Sequence, residues 1–254
     1  MFPIKDDNPH FLTPIVTYAL VAANVLAWIG FQGLGAEGRL VESICSLGLI
    51  PAEILGTAAP GTRVPLGSNA VCVLSGDPNW ITPLSSMFLH GGWFHLIGNM
   101  WFLWLFGNNV EDSMGHGRFL VFYLLCGFAA DALQVAFSPE STVPMVGASG
   151  AIGGVMGAYI VLYPRVRVHM VVLLGFFVTR IAVPAVVMLG YWFAIQVLGG
   201  AASLGREGGG VAFWAHVGGF VAGALAIFPF RDPALVARHP YHGWSGRRRR
   251  SFRV

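Results

Sequence analysis

The chain has 254 residues, of which 55% are hydrophobic and 11% charged, with a formal net charge of +3 and a mean hydropathy of +0.66. Soluble domains carry about 25% charged residues, so these values exclude an ordinary soluble globule and point to a polytopic membrane protein. The three cysteines form no Cys-x-x-Cys pair, which argues against a thiolate zinc site.

Five of the fifteen basic residues crowd into Arg247, Arg248, Arg249, Arg250 and Arg253. Beside an apolar helix, such a run reads as a cytoplasmic topology anchor rather than a nucleic-acid surface. Lys5, Asp6 and Asp7 precede the first apolar run and do not resemble a cleaved signal peptide. Residues 1–10 are expected to be a cytoplasmic N-terminal segment, 11–230 a membrane domain, and 231–254 a basic cytoplasmic tail.

Phe11 to Phe31 is the first apolar run, about the twenty residues a span requires. Asn24, its only strongly polar residue, is expected to face other helices. Residues 32–89 are mixed in character and contain no span-length apolar run. They hold Cys45 and Cys72, which could pair in an oxidising compartment; the sequence alone leaves that pairing open.

The second span begins after His90-Gly91-Gly92 and is expected to end near Phe106-Gly107. His95 and Asn99 stand four residues apart and share one helical face. Polar groups within a span are costly and usually face the bundle interior. His90 and His95 lack helical ligand spacing, and no His-Glu-x-x-His occurs, so a metal site is the poorer reading. Asn108 to Arg118 reads as a polar turn, where Glu111 caps or braces the loop. Phe119 to Phe137 is the third span, with Cys126 and with Asp131 expected near an interface.

After a loop, Ser149 opens an apolar helix that runs to Tyr163 before Pro164. At 1.5 Å per residue this helix covers roughly 22 Å, less than the ~30 Å hydrocarbon core. If its Tyr163 end reaches one interface, Ser149 lies roughly 8 Å below the other. Non-helical backbone at that depth must be buried in protein or line a wet cavity. Arg165 to Arg180 reads as interfacial, Pro184 to Leu198 as the fifth span, and Gly199 to Gly210 as a mobile lid loop. Val211 to Phe230 is the sixth span. There His216, Gly219 and Gly223 fall on one face, and the glycines admit a close neighbour. Gly150, Gly153 or Gly154, and Gly157 offer a matching smooth face, so the two helices are expected to touch.

Six spans put both termini on one side. With that side cytoplasmic, the inner segments hold Lys5, Arg118, Arg165, Arg167, Arg180, Arg231, Arg238 and the C-terminal arginines; the outer ones hold Arg39, Arg63 and Arg206. The positive-inside rule selects this orientation. Ser149, His95, Asn99 and His216 then converge at one depth toward the outer face, as expected of an active site rather than of scattered core polars.

These residues resemble the rhomboid family of intramembrane serine proteases. The resemblance covers the core from Phe11 to Phe230. It rests on His90 through Asn99, on Gly147-Ala148-Ser149-Gly150, and on Ala215-His216-Val217-Gly218-Gly219 with Gly223. It implies an all-α, six-span bundle around a buried hydrophilic cavity, and a Ser149–His216 catalytic dyad. It also implies an oxyanion site from His95, Asn99 and the Ser149 N–H, with Gly147 letting the backbone approach substrate. His90, Gly150, Gly219 and Gly223 are expected to be structural near the site.

The implied substrates are transmembrane proteins cut near the outer end of a helix. No metal, cofactor or nucleic-acid partner is implied, and the implied location is a bacterial inner membrane. Two departures stand out. The Trp-Arg pair many members carry in the first outer loop is absent, since Ile81 follows Trp80. The aromatic residue that some members place four positions after the serine is Gly153 here, so His216 must be held by other contacts. A transporter or channel, with Asp131 and His216 as relay groups, is the alternative reading. A second is a non-catalytic rhomboid-like binding protein, which normally lacks the serine or histidine.

Overall fold

The computed structural model describes residues 2–66, 70–174, 177–204 and 210–243. Its helices are α1 (Ile15–Gly30), α2 (Glu37–Leu47), α3 (Pro51–Ile54), α4 (Thr82–Ser85), α5 (Trp93–Met114), α6 (His116–Phe137), α7 (Ser149–Leu162), α8 (Ala185–Ser203), α9 (Phe213–Phe230) and α10 (Pro233–Val236). The strands are β1 (Phe2–Asp6), β2 (Arg63–Leu66), β3 (Ala70–Val73), β4 (Arg167–Leu174) and β5 (Phe177–Pro184). Among the described residues, three helices, α6, α8 and α9, are long and apolar enough to cross a membrane; α1 and α7 are shorter apolar helices. Large apolar side chains such as Leu26, Leu198 and Leu225 remain exposed, as lipid-facing residues do.

The helical bundle matches the expected class, but the chain is not all-α. Arg165 to Arg180, read as interfacial, falls largely in the antiparallel β4–β5 hairpin, and β1 adds to its β4 edge. Valines and isoleucine are frequent in this stretch, and β-branched side chains fit a pleated surface better than a helix. The expected N-terminal segment therefore carries a strand. A second hairpin, β2–β3, lies in the long segment 32–89.

That segment has its own small core of Ile50, Ala52, Ala58, Val64, Cys72 and Leu74. Cys45 and Cys72 are joined in a disulfide that ties α2 to β3. The segment holds together with Trp80 exposed at its surface. It also clamps the loop that leads to Ser149. Leu49 and Met145 exchange backbone hydrogen bonds of 2.9 and 2.7 Å, and Ala52 N–H donates to Ser141 O at 3.0 Å.

Helix α5 continues past the expected end at Gly107 as far as Met114. The expected polar turn from Asn108 to Arg118 is thus mostly buried helix as far as Met114, with the helix breaking at Gly115 before α6, and Glu111 is fully enclosed. Helix α1 has no side-chain cap of its own. Glu111 supplies one from α5, accepting from Val16 N at 2.9 Å, Thr17 N at 2.8 Å and Thr17 Oγ1 at 2.6 Å. It satisfies donors that every helix start leaves open and complements the positive end of the helix dipole. Asp112 accepts from Phe11 N and Leu12 N just upstream. Asn24 is fully buried, and its Nδ2 donates to Leu20 O in its own helix.

Helices α7 and α9 meet through glycine, as their small faces predict. A Cβ on Gly219 would collide with Gly150 O, one on Gly223 with Gly154 O, and one on Gly157 with Phe220 O. Gly153 is also tight, its Cβ position lying 3.0 Å from His216 O. Helix α8 extends five residues beyond the expected Leu198. Gly199 to Ser203 is therefore helix, not lid loop. Residues 205–209 and the arginine run at 247–250 with Arg253 lie outside the described residues.

Candidate active site

Ser149 is the first residue of α7, preceded by the loop that the outer segment clamps. Its Oγ lies 2.7 Å from His216 Nε2 on α9. The close α7–α9 packing sets that distance, because the glycine faces bring the backbones together within a turn of both side chains. Gln134 on α6 accepts from Ala215 N at 3.2 Å and so caps the start of α9 next to His216.

His95 and Asn99 project from α5 into the same cleft, about 510 Å³ in volume, which Ser149 and His216 also line. The four predicted residues thus come together. His95 Nδ1 accepts from Gly91 N at 3.2 Å. In a neutral ring the proton is then on Nε2, which becomes a free donor. Asn99 Nδ2 is buried without a partner among the described residues. The N–H groups of the first turn of α7 are open by the rules of helix geometry.

Gly147 has φ +132°, and its Cβ position falls 2.8 Å from His95 Nε2 and 3.4 Å from Ser149 Oγ. Glycine is required here by backbone conformation and by the nearby imidazole. Its N–H donates to Ser86 O at 2.9 Å. His90 is fully buried, its ring 5.1 Å from that of His95 in an edge arrangement. Its backbone is pinned by Gln32, whose amide accepts from His90 N at 2.8 Å and donates to His90 O at 2.7 Å. Gly150, Gly219 and Gly223 are the α7–α9 contacts described above.

Asp131 is buried within the protein, and it borders a small cavity behind Ser149 shared with Gly150 and Ala215. The support for His216 was not foreseen. Gln196 of α8 lies 2.8 Å from Nδ1 through its Oε1, and the Trp192 ring sits 5.7 Å from the imidazole. Helix α8 thereby fills the place left by Gly153. Gln196 is the one amide in the apolar helix α8, so the rule that flagged Asn99 would have flagged it too.

A family model for the Rhomboid domain matches residues 77–233. The chain belongs to the rhomboid family. It is 35% identical over 174 residues to rhomboid protease GluP of Bacillus subtilis (strain 168), covering 68% of this chain and 31% of that protein. It is 28% identical over 195 residues to RHOMBOID-like protein 4 of Arabidopsis thaliana, covering 77% of this chain and 43% of the relative. With rhomboid protein 1, mitochondrial, of Saccharomyces cerevisiae it shares 30% over 151 residues, covering 57% and 40%. The match spans less than half the length of each of these rhomboid relatives. Family and apolar helices together make this an integral, multi-pass membrane protein.

Proposed function

We propose that this rhomboid is an intramembrane serine endopeptidase that cuts transmembrane segments of other proteins near the outer membrane face, using Ser149 and His216. The observation that carries the reading is the 2.7 Å contact between Ser149 Oγ and His216 Nε2 in a cleft also lined by His95 and Asn99. Six spans are proposed: α1, α5, α6, α7, α8 and α9, with both termini cytoplasmic. The arginine and lysine asymmetry supports this orientation. The membrane is proposed to be a bacterial inner membrane.

In the proposed reaction, His216 Nε2 takes the Ser149 proton as Oγ attacks the scissile carbonyl. The C–N bond then breaks, and His216 returns the proton to the leaving amine. Water from the outer side hydrolyses the acyl ester by the same route. The oxyanion is received by His95 Nε2–H, Asn99 Nδ2–H and the Ser149 N–H, donors worth about 3 kcal/mol each in such sites. The positive end of α7 adds to them.

The test is cleavage of a model single-span substrate in liposomes. Ser149→Ala and His216→Ala should each abolish cleavage while remaining folded in detergent. Undiminished cleavage by either variant rejects the dyad.

A further inference from the structure

We infer that Gln196 is a third, positioning member of the site, holding the His216 imidazole in the tautomer and orientation that lets it accept the Ser149 proton. The inference rests on the Ser149–His216 reading and deepens it.

The amide orientation is determined by its surroundings. Gln196 Nε2 donates to Trp192 O, one turn back on α8, at 3.3 Å. Its Oε1 is therefore the atom that faces His216 Nδ1 at 2.8 Å. A carbonyl oxygen only accepts, so Nδ1 must carry the ring proton. Nε2 is then left with its lone pair toward Ser149 Oγ, the arrangement a general base needs. The Gln196 side chain is buried, so water competes poorly for this bond. The Trp192 ring restricts the imidazole from the side.

Among the described residues, no carboxylate does this work. The other titratable groups near His216 are His95 of α5, which lines the same cleft, and Asp131 of α6, which shares the small cavity with Ser149 and Ala215. Neither hydrogen-bonds to His216 among the described residues. A neutral acceptor fixes the tautomer without placing a charge beside the base. That arrangement suits a span, where an ionised carboxylate is expensive.

The experiment measures labelling of the full-length protein in detergent by a fluorescent fluorophosphonate, as a function of probe concentration and pH. Gln196→Leu keeps the volume and removes the acceptor. Its maximal labelling rate should fall about 10- to 100-fold, a fraction of the roughly 10²- to 10⁴-fold that general-base catalysis contributes, with the half-saturating probe concentration unchanged. Gln196→Glu keeps an acceptor and adds charge that favours the imidazolium. Its acid limb should move to higher pH by about one unit, the size of a neighbouring-charge effect.

Wild-type rate and pH profile in Gln196→Leu overturn the inference. Where Gln196→Leu loses thermal stability, Gln196→Glu decides, and an unmoved acid limb overturns the inference. His216→Ala is run alongside. A dead His216→Ala beside an unaffected Gln196→Leu rejects Gln196 alone, whereas a His216→Ala that labels like wild type rejects the dyad itself.

Discussion

The backbone of Gly219 rests against the carbonyl oxygen of Gly150 so closely that no methyl group fits between them. This contact holds the helix of Ser149 against the helix of His216. Gly219→Ala and Gly223→Ala should therefore force α7 and α9 apart, lowering the thermal midpoint in detergent and slowing active-site labelling together. Gly190→Ala on α8, where nothing lies within 4 Å of the added carbon, should behave as wild type. Equal behaviour of all three variants would remove the packing argument.

Glu111 joins α5 to the start of α1 across 94 residues of sequence. Glu111→Ala leaves two backbone N–H groups and the Thr17 hydroxyl without their acceptor. At roughly 1–3 kcal/mol for an unsatisfied buried group, the loss should be about 3 kcal/mol, read as a lower midpoint in thermal or denaturant unfolding. A midpoint within error of wild type would show that water or a rearranged loop replaces the cap.

Asp6 lies in β1, outside the helical spans, with its carboxylate bonded to the Tyr159 hydroxyl. Burial pushes its carboxyl up to about 6, against the opposing pull of that hydrogen bond. The unfolded chain releases this proton near the ordinary value of about 4, so the folded state binds more protons between the two. The Asp6 contribution to stability is therefore greatest below about pH 4, falls as pH rises to about 6, and is flat above that. Asp6→Asn should remove that part of the decline in thermal midpoint between these pH values. An identical decline in the variant would refute the assignment.

Asn99→Ala and His95→Ala each remove one proposed oxyanion donor. Turnover of a model transmembrane substrate should fall by about 10²-fold or more, the scale of losing such a donor, with smaller changes in KM. Either variant at wild-type turnover takes that residue out of the oxyanion site.

How much of this was legible in the sequence follows from the range of the interactions. Ser149, His216, His95 and Asn99 stood out because polar groups inside apolar spans are costly and few. The α7–α9 contact was readable because glycine spacing reports a helix face directly. Glu111 was read only as a local cap or brace; it does face His116 five residues on, but the helix start it caps is on α1, 94 residues away, beyond the reach of local pattern. The β4–β5 hairpin was missed because an apolar, β-branched run beside a span has the same hydropathy as an interfacial segment. Gln196 was missed for a different reason: it lies on another helix, 20 residues from His216, and the sequence asked for other contacts to hold the imidazole without saying which helix faces it.

The most direct measurement is labelling of the purified protein by a serine-directed fluorophosphonate, with the modified residue located by peptide mapping. A serine–histidine dyad predicts a single adduct on Ser149, formed by wild type and absent from His216→Ala. No adduct on Ser149, or one formed as fast in His216→Ala, would contradict it.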